Sequence, residues 1–306
     1  MLKFIKHSIF FSGFAFLLYL FFIYVWGKSM PSEFTPNIHY IKGAFGHMYK
    51  RTEEAKQTHD IDVLVIGSSH AFRGFDPRIF ESYGLKMFNL GSSSQSPMQT
   101  KVLLERYYSQ LNPKTVIYEV YPRTLLSDGV EASMDLLSND QNDFKSFKMA
   151  VRLNHAKVYN TFFYASLDQL LSLEPYKQEF RKVDDLYIPG GYVEKDFKTY
   201  KYDSVIKERW PIADDSFEGF NEIIDFFEHK DVKLYAVFAP ITNTMYKSQT
   251  NTNTFVNEIE KRTPLYDFNT IINLDDSLHF YDRHHMNQKG VELFNKKLIE
   301  TIWKGK

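Results

Sequence analysis

Residues 61–70 read Ile61-Asp-Val-Leu-Val-Ile-Gly67-Ser68-Ser69-His70. A short run of branched apolar residues ending in glycine predicts a strand buried on both faces. Gly67 permits a tight turn, and the two serines stand where the next helix should begin. A serine held there exposes its Oγ beside helix N-terminal amides that can stabilise an oxyanion. Capping the helix is the other use of such a serine, and the sequence leaves both uses open for Ser68 and Ser69.

Working outward, further short apolar runs predict strands at 86–91, at 115–122 (stopped by Pro122), at 232–240 and at 265–268. Between them, helical patterns cover 77–83, 99–111, 254–262 and 287–303. Another helix opens at Asp215 or Ser216 and runs to about His229. Strands alternating with helices predict an α/β domain: a central, mostly parallel sheet with helices on both faces. Ligands of such sheets bind beyond the carboxyl ends of the strands, so the residues after each strand are the ones to read for chemistry. Segment 125–211 breaks the alternation. It holds helical stretches at 144–153 and 159–173 and a hairpin over 184–196 that turns at Pro189-Gly190-Gly191, and it reads as an insertion or cap.

Residues 8–27, SIFFSGFAFLLYLFFIYVWG, carry no charge. About 20 helical residues cover the ~30 Å hydrocarbon core of a bilayer. Lys3 and Lys6 precede the run, Lys28 follows it, and Tyr24 and Trp26 lie at the level of an interfacial aromatic belt. The expectation is a single-pass anchor over 1–27, a stalk over 28–59 with a helix at 41–57, and a soluble domain over 60–306 facing away from the cytoplasm. A cleaved signal peptide is the alternative. It calls for a shorter apolar core and a small-x-small site, of which WGKSMPSE offers only a weak version.

The 306 residues are 43% hydrophobic and 25% charged, which is ordinary for a packed domain. The 28 Phe and 20 Tyr can fill a core or line a substrate groove. Absence of cysteine excludes disulfides, thiolate metal sites and a cysteine nucleophile. A net charge of −1 supplies no field to gather nucleic acid, and none is expected as a partner.

Near the C-terminus stands Asp282-Arg283-His284-His285-Met286-Asn287, followed by Gly290. Asp282 and His285 share one side of a turn, where a carboxylate can orient an imidazole and leave its Nε2 free to take a proton from a serine. No metal is expected at His284 and His285, because adjacent side chains tend to diverge and no H-E-x-x-H or thiolate set accompanies them. No cofactor is expected either. Neither a Walker-type loop nor G-x-G-x-x-G is present, so a nucleotide-binding reading of the same sheet lacks support. His70 can line a cleft mouth or simply sit in a first helical turn. Arg73 can hold an anion or be solvated, and Asn287 suits a brace for the His285 loop.

A serine early, after the first strand, and D-x-x-H late, before the last helix, resembles the SGNH (GDSL-type) hydrolase superfamily over about 61–303. Gly67-Ser68-Ser69 resembles the family's G-D-S block with Ser68 in the place of Asp, and Asp282-x-x-His285-Met-Asn287 resembles its D-x-x-H-L-N block. The resemblance implies a three-layer α/β/α fold of flavodoxin-like kind. It implies Ser69 as nucleophile, His285 as base and Asp282 as the acid that orients it. Asn89-Leu-Gly91-Ser-Ser-Ser94 is similar to the block that supplies an oxyanion amide, from Gly91 or from Ser94, alongside that of Ser69. The family's G-x-N-D block is replaced by Tyr121-Pro122-Arg123-Thr124, so the usual Asn donor is absent and Arg123 is the candidate substitute. The anchor and the GSSHAFRGFDP opening resemble the membrane-tethered DltD- and AlgJ-like branches. That implies an O-acyl esterase or O-acyltransferase acting on acyl esters of an envelope polysaccharide or glycan, with an integral-membrane acyltransferase as a possible partner. The alternative is a catalytically weak or inactive member that binds a glycan or partners such an acyltransferase.

Overall fold

The computed structural model describes residues 1–172, 176–201, 206–213 and 217–303. Five strands, β1 (Val63–Ile66), β2 (Met87–Asn89), β3 (Thr115–Glu119) and two later ones (Lys233–Phe238 and Leu265–Asp267), pair entirely in parallel. The order across the sheet is β2, β1, β3, Lys233–Phe238, Leu265–Asp267. The chain winds outward from β1 to β2, then returns to the other side of β1 for β3. In parallel sheets ligands bind at such a reversal, beyond the carboxyl ends of the strands, here β1 and β3.

Alternate residues along each strand enter two separate cores, as the period of two requires. Leu64, Ile66, Val116, Tyr118, Ala236 and Phe238 pack under helices Pro97–Leu111, Glu218–Phe227 and Thr252–Glu260, through Leu103, Tyr107, Phe220, Ile223 and Phe255. Val63, Val65, Ile117, Val237 and Ala239 face helix Gln288–Trp303, through Val291, Phe294 and Leu298. Helices therefore cover both faces, and the α/β expectation is met.

Several elements differ in detail. The helix expected over 41–57 is confined to Met48–Ala55, because Gly43 and Gly46 adopt left-handed backbone just before it. Helix Pro97–Leu111 begins two residues early, where Ser96 and Gln99 form a capping box behind Pro97. Helix Val130–Asn139 was not foreseen. Its buried face includes Ser133, Asp135, Ser138 and Asn139, so polarity hides its period. Asp215 and Ser216 lie outside the described residues, and the helix there is Glu218–Phe227. The 184–196 hairpin is present as Asp185–Ile188 and Tyr192–Lys195, with Arg181–Lys182 added as a third antiparallel strand. Its turn docks on the edge of β2: Asn89 N–H donates to Gly190 O at 2.9 Å, and Gly190 N–H donates to Glu54 at 2.7 Å.

Helix Leu2–Ser29 is long and apolar enough to cross a membrane. Leu2, Phe4, Ile9, Phe10, Phe11, Phe14 and Leu17 are exposed, as on a lipid-facing surface. Its second half rests on helix Ala156–Leu171. Tyr19 donates to Asn160 at 2.6 Å, Lys28 pairs with Asp168 at 3.3 Å, and Phe163 packs edge-on against Phe16.

Between the sheet helices and the 125–211 region runs a buried ion pair. The Arg106 side chain is 1% exposed and donates to Asp140 at 2.6 Å and to Asp143 at 2.8 Å. Removing one partner of such a cluster strands a buried charge. Arg106→Leu is expected to lower unfolding free energy by about 3–5 kcal/mol, read as a shift in the urea midpoint.

Candidate active site

The turn after β1 is built by contact with β3. Gly67 has φ of +142°, and a Cβ there would lie 2.8 Å from Glu119, so glycine alone fits. Ser68 N–H and Ser68 Oγ–H both donate to Glu119 Oε2, at 3.1 and 2.9 Å. The Ser68 hydroxyl also accepts from His70 N–H at 3.3 Å, and Ser68 O accepts from Ala71 N–H at 3.0 Å. Ser68 is thus the cap of helix Ser69–Gly74, and Ser69 is its first residue.

The C-terminal block forms a second tight loop against this turn. Asp282 Oδ1 accepts the backbone N–H of His284 at 2.9 Å and of His285 at 2.7 Å. Its Oδ2 lies 2.8 Å from His285 Nδ1, and His285 Nε2 lies 2.9 Å from Ser69 Oγ. Ser69, His285 and Asp282, which stand 216 and 3 residues apart in sequence, therefore make one unbroken chain of hydrogen bonds. Asn287 braces the loop, donating to Leu278 O at 2.9 Å and Lys198 O at 3.0 Å and accepting from Gly290 N–H.

Burial pushes the Asp282 carboxyl up. The His285 hydrogen bond, the neighbouring imidazoles and the backbone N–H of His284 outweigh it and hold Asp282 well below the usual carboxylate range. An ionised Asp282 is the form that accepts from His285 Nδ1–H and supports an imidazolium.

The candidate oxyanion donors fare differently. Helix Ser69–Gly74 has its second and third amides engaged by Ser68. Among the described residues nothing engages the N–H of Ser69. Gly91 N–H is already committed to Asn89 Oδ1 at 2.8 Å. Glycine is needed there for space instead, since a Cβ would come within 2.7 Å of Ala71 Cβ. Ser94, in left-handed backbone at φ +50°, keeps an N–H that nothing engages among the described residues. Arg123 sits at the start of helix Pro122–Leu125 with its guanidinium on Glu208, which also takes Arg283. Arg73 makes a two-pronged pair with Asp185, at 3.0 and 2.8 Å, and is not a free anion site.

Two features escaped the sequence reading. Glu119 is one; a carboxylate inside the apolar run TVIYEVYP was the available signal. Burial raises it from its ordinary 4.5 to about 7, partly offset by the Ser68 hydrogen bonds. The other is a histidine cluster. His284 and His285 do not diverge as expected: their ring centroids are 4.0 Å apart, and His70 stacks on His285 at 4.8 Å. His70 Nε2 lies 3.3 Å from His284 Nδ1. Burial, then the neighbouring His285, lowers His284 to about 3, and the same causes hold His70 well below the usual imidazole range.

No protein-family model matches the sequence, and no curated protein matches it. Among solved structures the chain is similar to a candidate acylhydrolase from Bacteroides fragilis NCTC 9343, with TM-score 0.42 and 11% identity, over 85% of this chain and 97% of the other. It is also similar to a GDSL-like lipase from Bacteroides thetaiotaomicron VPI-5482, with TM-score 0.41 and 12% identity, over 84% and 98%. Both likenesses are remote, so the chemistry must be read from the residues of this chain.

Glu119 yields a prediction of definite sign. Its folded pKa is raised, so between about 4.5 and 7 the folded state binds more protons than the unfolded state. Stability should therefore fall as pH rises through that window. Glu119→Gln mimics the neutral acid and should remove that component, by a few kcal/mol at most. Thermal unfolding of the two proteins at pH 5 and pH 8 checks it: the gap between them should move in favour of the variant at pH 8.

Proposed function

We propose that the protein is a membrane-anchored serine esterase or O-acyltransferase of the SGNH kind, its soluble domain outside the cytoplasm, acting on acyl esters of an envelope polysaccharide or glycan. One observation carries the reading. Ser69 Oγ, His285 and Asp282 form a hydrogen-bonded chain of 2.9 and 2.8 Å at the carboxyl end of β1. That is the arrangement in which a general base activates a hydroxyl nucleophile and a carboxylate orients the base.

Ser69 Oγ attacks the ester carbonyl while His285 Nε2 takes its proton. His285 then returns that proton to the departing alkoxide, leaving an acyl group on Ser69. The N–H of Ser69, at a helix start, is the first donor for the developing oxyanion, and the N–H of Ser94, unengaged among the described residues, is the candidate for a second. Water as acceptor completes an esterase cycle, and a sugar hydroxyl completes a transferase cycle. The apolar helix over 8–27 supports tethering at a membrane, where polymer-linked esters and an integral-membrane acyltransferase would be at hand.

A second reading is favoured by one observation. Tyr121-Pro122-Arg123 follows β3 where the resembled family carries an Asn donor; Pro122 has no N–H, and Arg123 is paired with Glu208. Loss of one oxyanion donor costs about 10²–10³ in kcat. A glycan-binding protein that retains the fold with weak catalysis would fit that loss.

The full chain in detergent should show a burst followed by slow steady-state hydrolysis of a chromogenic acetyl ester. Ser69→Ala should lose the burst entirely, and Asp282→Asn should lower kcat by roughly 10³–10⁴. No burst from folded wild-type protein would favour the binding role.

A further inference from the structure

We infer that His70, His284 and His285 form a binding site for a divalent transition cation of the zinc type, and that its occupancy takes the general base out of action. One ring nitrogen from each of the three lies within 4.8 Å of one from each of the others. The closest pair, His70 Nε2 and His284 Nδ1, is 3.3 Å apart. Two ligands of a tetrahedral zinc at about 2.0–2.1 Å stand roughly 3.3–3.4 Å from each other, so this hydrogen-bonded pair has the required separation once its shared proton moves to the far nitrogen of the ring that carries it. The widest separation has to close by roughly 1.4 Å, so binding requires the stacked rings of His70 and His285 to shift.

The surroundings match what imidazole ligands need. A ligating histidine ordinarily has its other ring nitrogen held by a carboxylate, a hydroxyl or a carbonyl. His285 Nδ1 is held by Asp282 at 2.8 Å, which leaves Nε2 for the metal. His70 Nδ1 lies 3.2 Å from Ser68 Oγ, which is itself anchored on Glu119. The nearby cations Arg123 and Arg283 both pair with Glu208, so their charge is partly neutralised. Three imidazoles without thiolates suit zinc, copper or nickel more than calcium or magnesium.

The functional consequence rests on the hydrolase reading above; the binding does not. His285 Nε2 cannot hold a metal and accept the Ser69 proton together, so an occupied site blocks acylation. The block is reversed when a chelator removes the ion.

The test uses the full chain in detergent after chelator treatment and desalting. Co²⁺ is titrated while visible absorption is followed, and Zn²⁺ is titrated by calorimetry. The expected result is one ion per chain, with the intense visible bands of four-coordinate Co²⁺ displaced by Zn²⁺. His284→Gln, checked for folding by circular dichroism, should weaken Zn²⁺ binding at least about tenfold. His70→Gln provides the same reading from an independent position. No stoichiometric binding by the wild type, or binding unchanged in both variants, would overturn the site. Ester hydrolysis that persists with Zn²⁺ bound would overturn the inhibitory role. Metal binding by a protein with no hydrolytic activity would instead sustain the site and contradict the hydrolase reading.

Discussion

The contact between the turn after β1 and Glu119 at the end of β3 determines where Ser69 stands. Gly67 must be glycine because Glu119 fills the space its side chain would need. Glu119 in turn takes both the amide and the hydroxyl of Ser68. With Ser68 pinned, its hydroxyl and carbonyl cap the amides of His70 and Ala71, and Ser69 is left as the first helical residue with its own N–H unengaged among the described residues. The sheet order brings this about, since β1 and β3 are neighbours only because the chain reverses between them. Everything chemical is assembled around that one turn.

The same turn gives a physical account of the substitution in the first motif. The resembled family carries an aspartate where this chain has Ser68. Here the carboxylate comes from the adjacent strand, through Glu119, and reaches the turn by way of the Ser68 hydroxyl. The arrangement has an energetic cost, because burial outweighs the hydrogen bonds to this carboxyl and pushes it toward neutrality. Asp282 is held in the opposite direction by His285 and backbone amides. Glu119 on Ser68 and Asp282 on His285 are thus pushed in opposite directions, and Asp282 is the one held in the ionised form that supports His285.

The sheet was legible because its strands are short apolar runs bounded by Gly and Pro, and the pairing of Ser69 with Asp282-x-x-His285 was legible because its spacing is local at one end and motif-like at the other. In the 125–211 region helices Phe144–Leu153 and Ala156–Leu171 and the hairpin were legible as well, whereas helix Val130–Asn139 was not. Its buried face is lined by Ser133, Asp135, Ser138 and Asn139, which hold neighbouring backbone groups such as Gly129 O, His39 O and Gly43 N–H. A helix packed through polar contacts leaves no hydrophobic period to read. Gly91 shows the limit at the site itself. A glycine in a motif-like position suggests an oxyanion amide, yet its N–H is consumed by the side chain of Asn89, two residues before it. The approach of His70 to His284 was equally hidden, since it joins residues 214 apart.

The proposed chemistry requires that His285, held by Asp282, make Ser69 a nucleophile. Intact-mass spectrometry after brief exposure to a fluorophosphonate tests it most directly. One adduct per chain, mapped to Ser69, and a much slower reaction in His285→Ala are expected. Adduct formation at another serine, or labelling of Ser69 at an equal rate without His285, would contradict it.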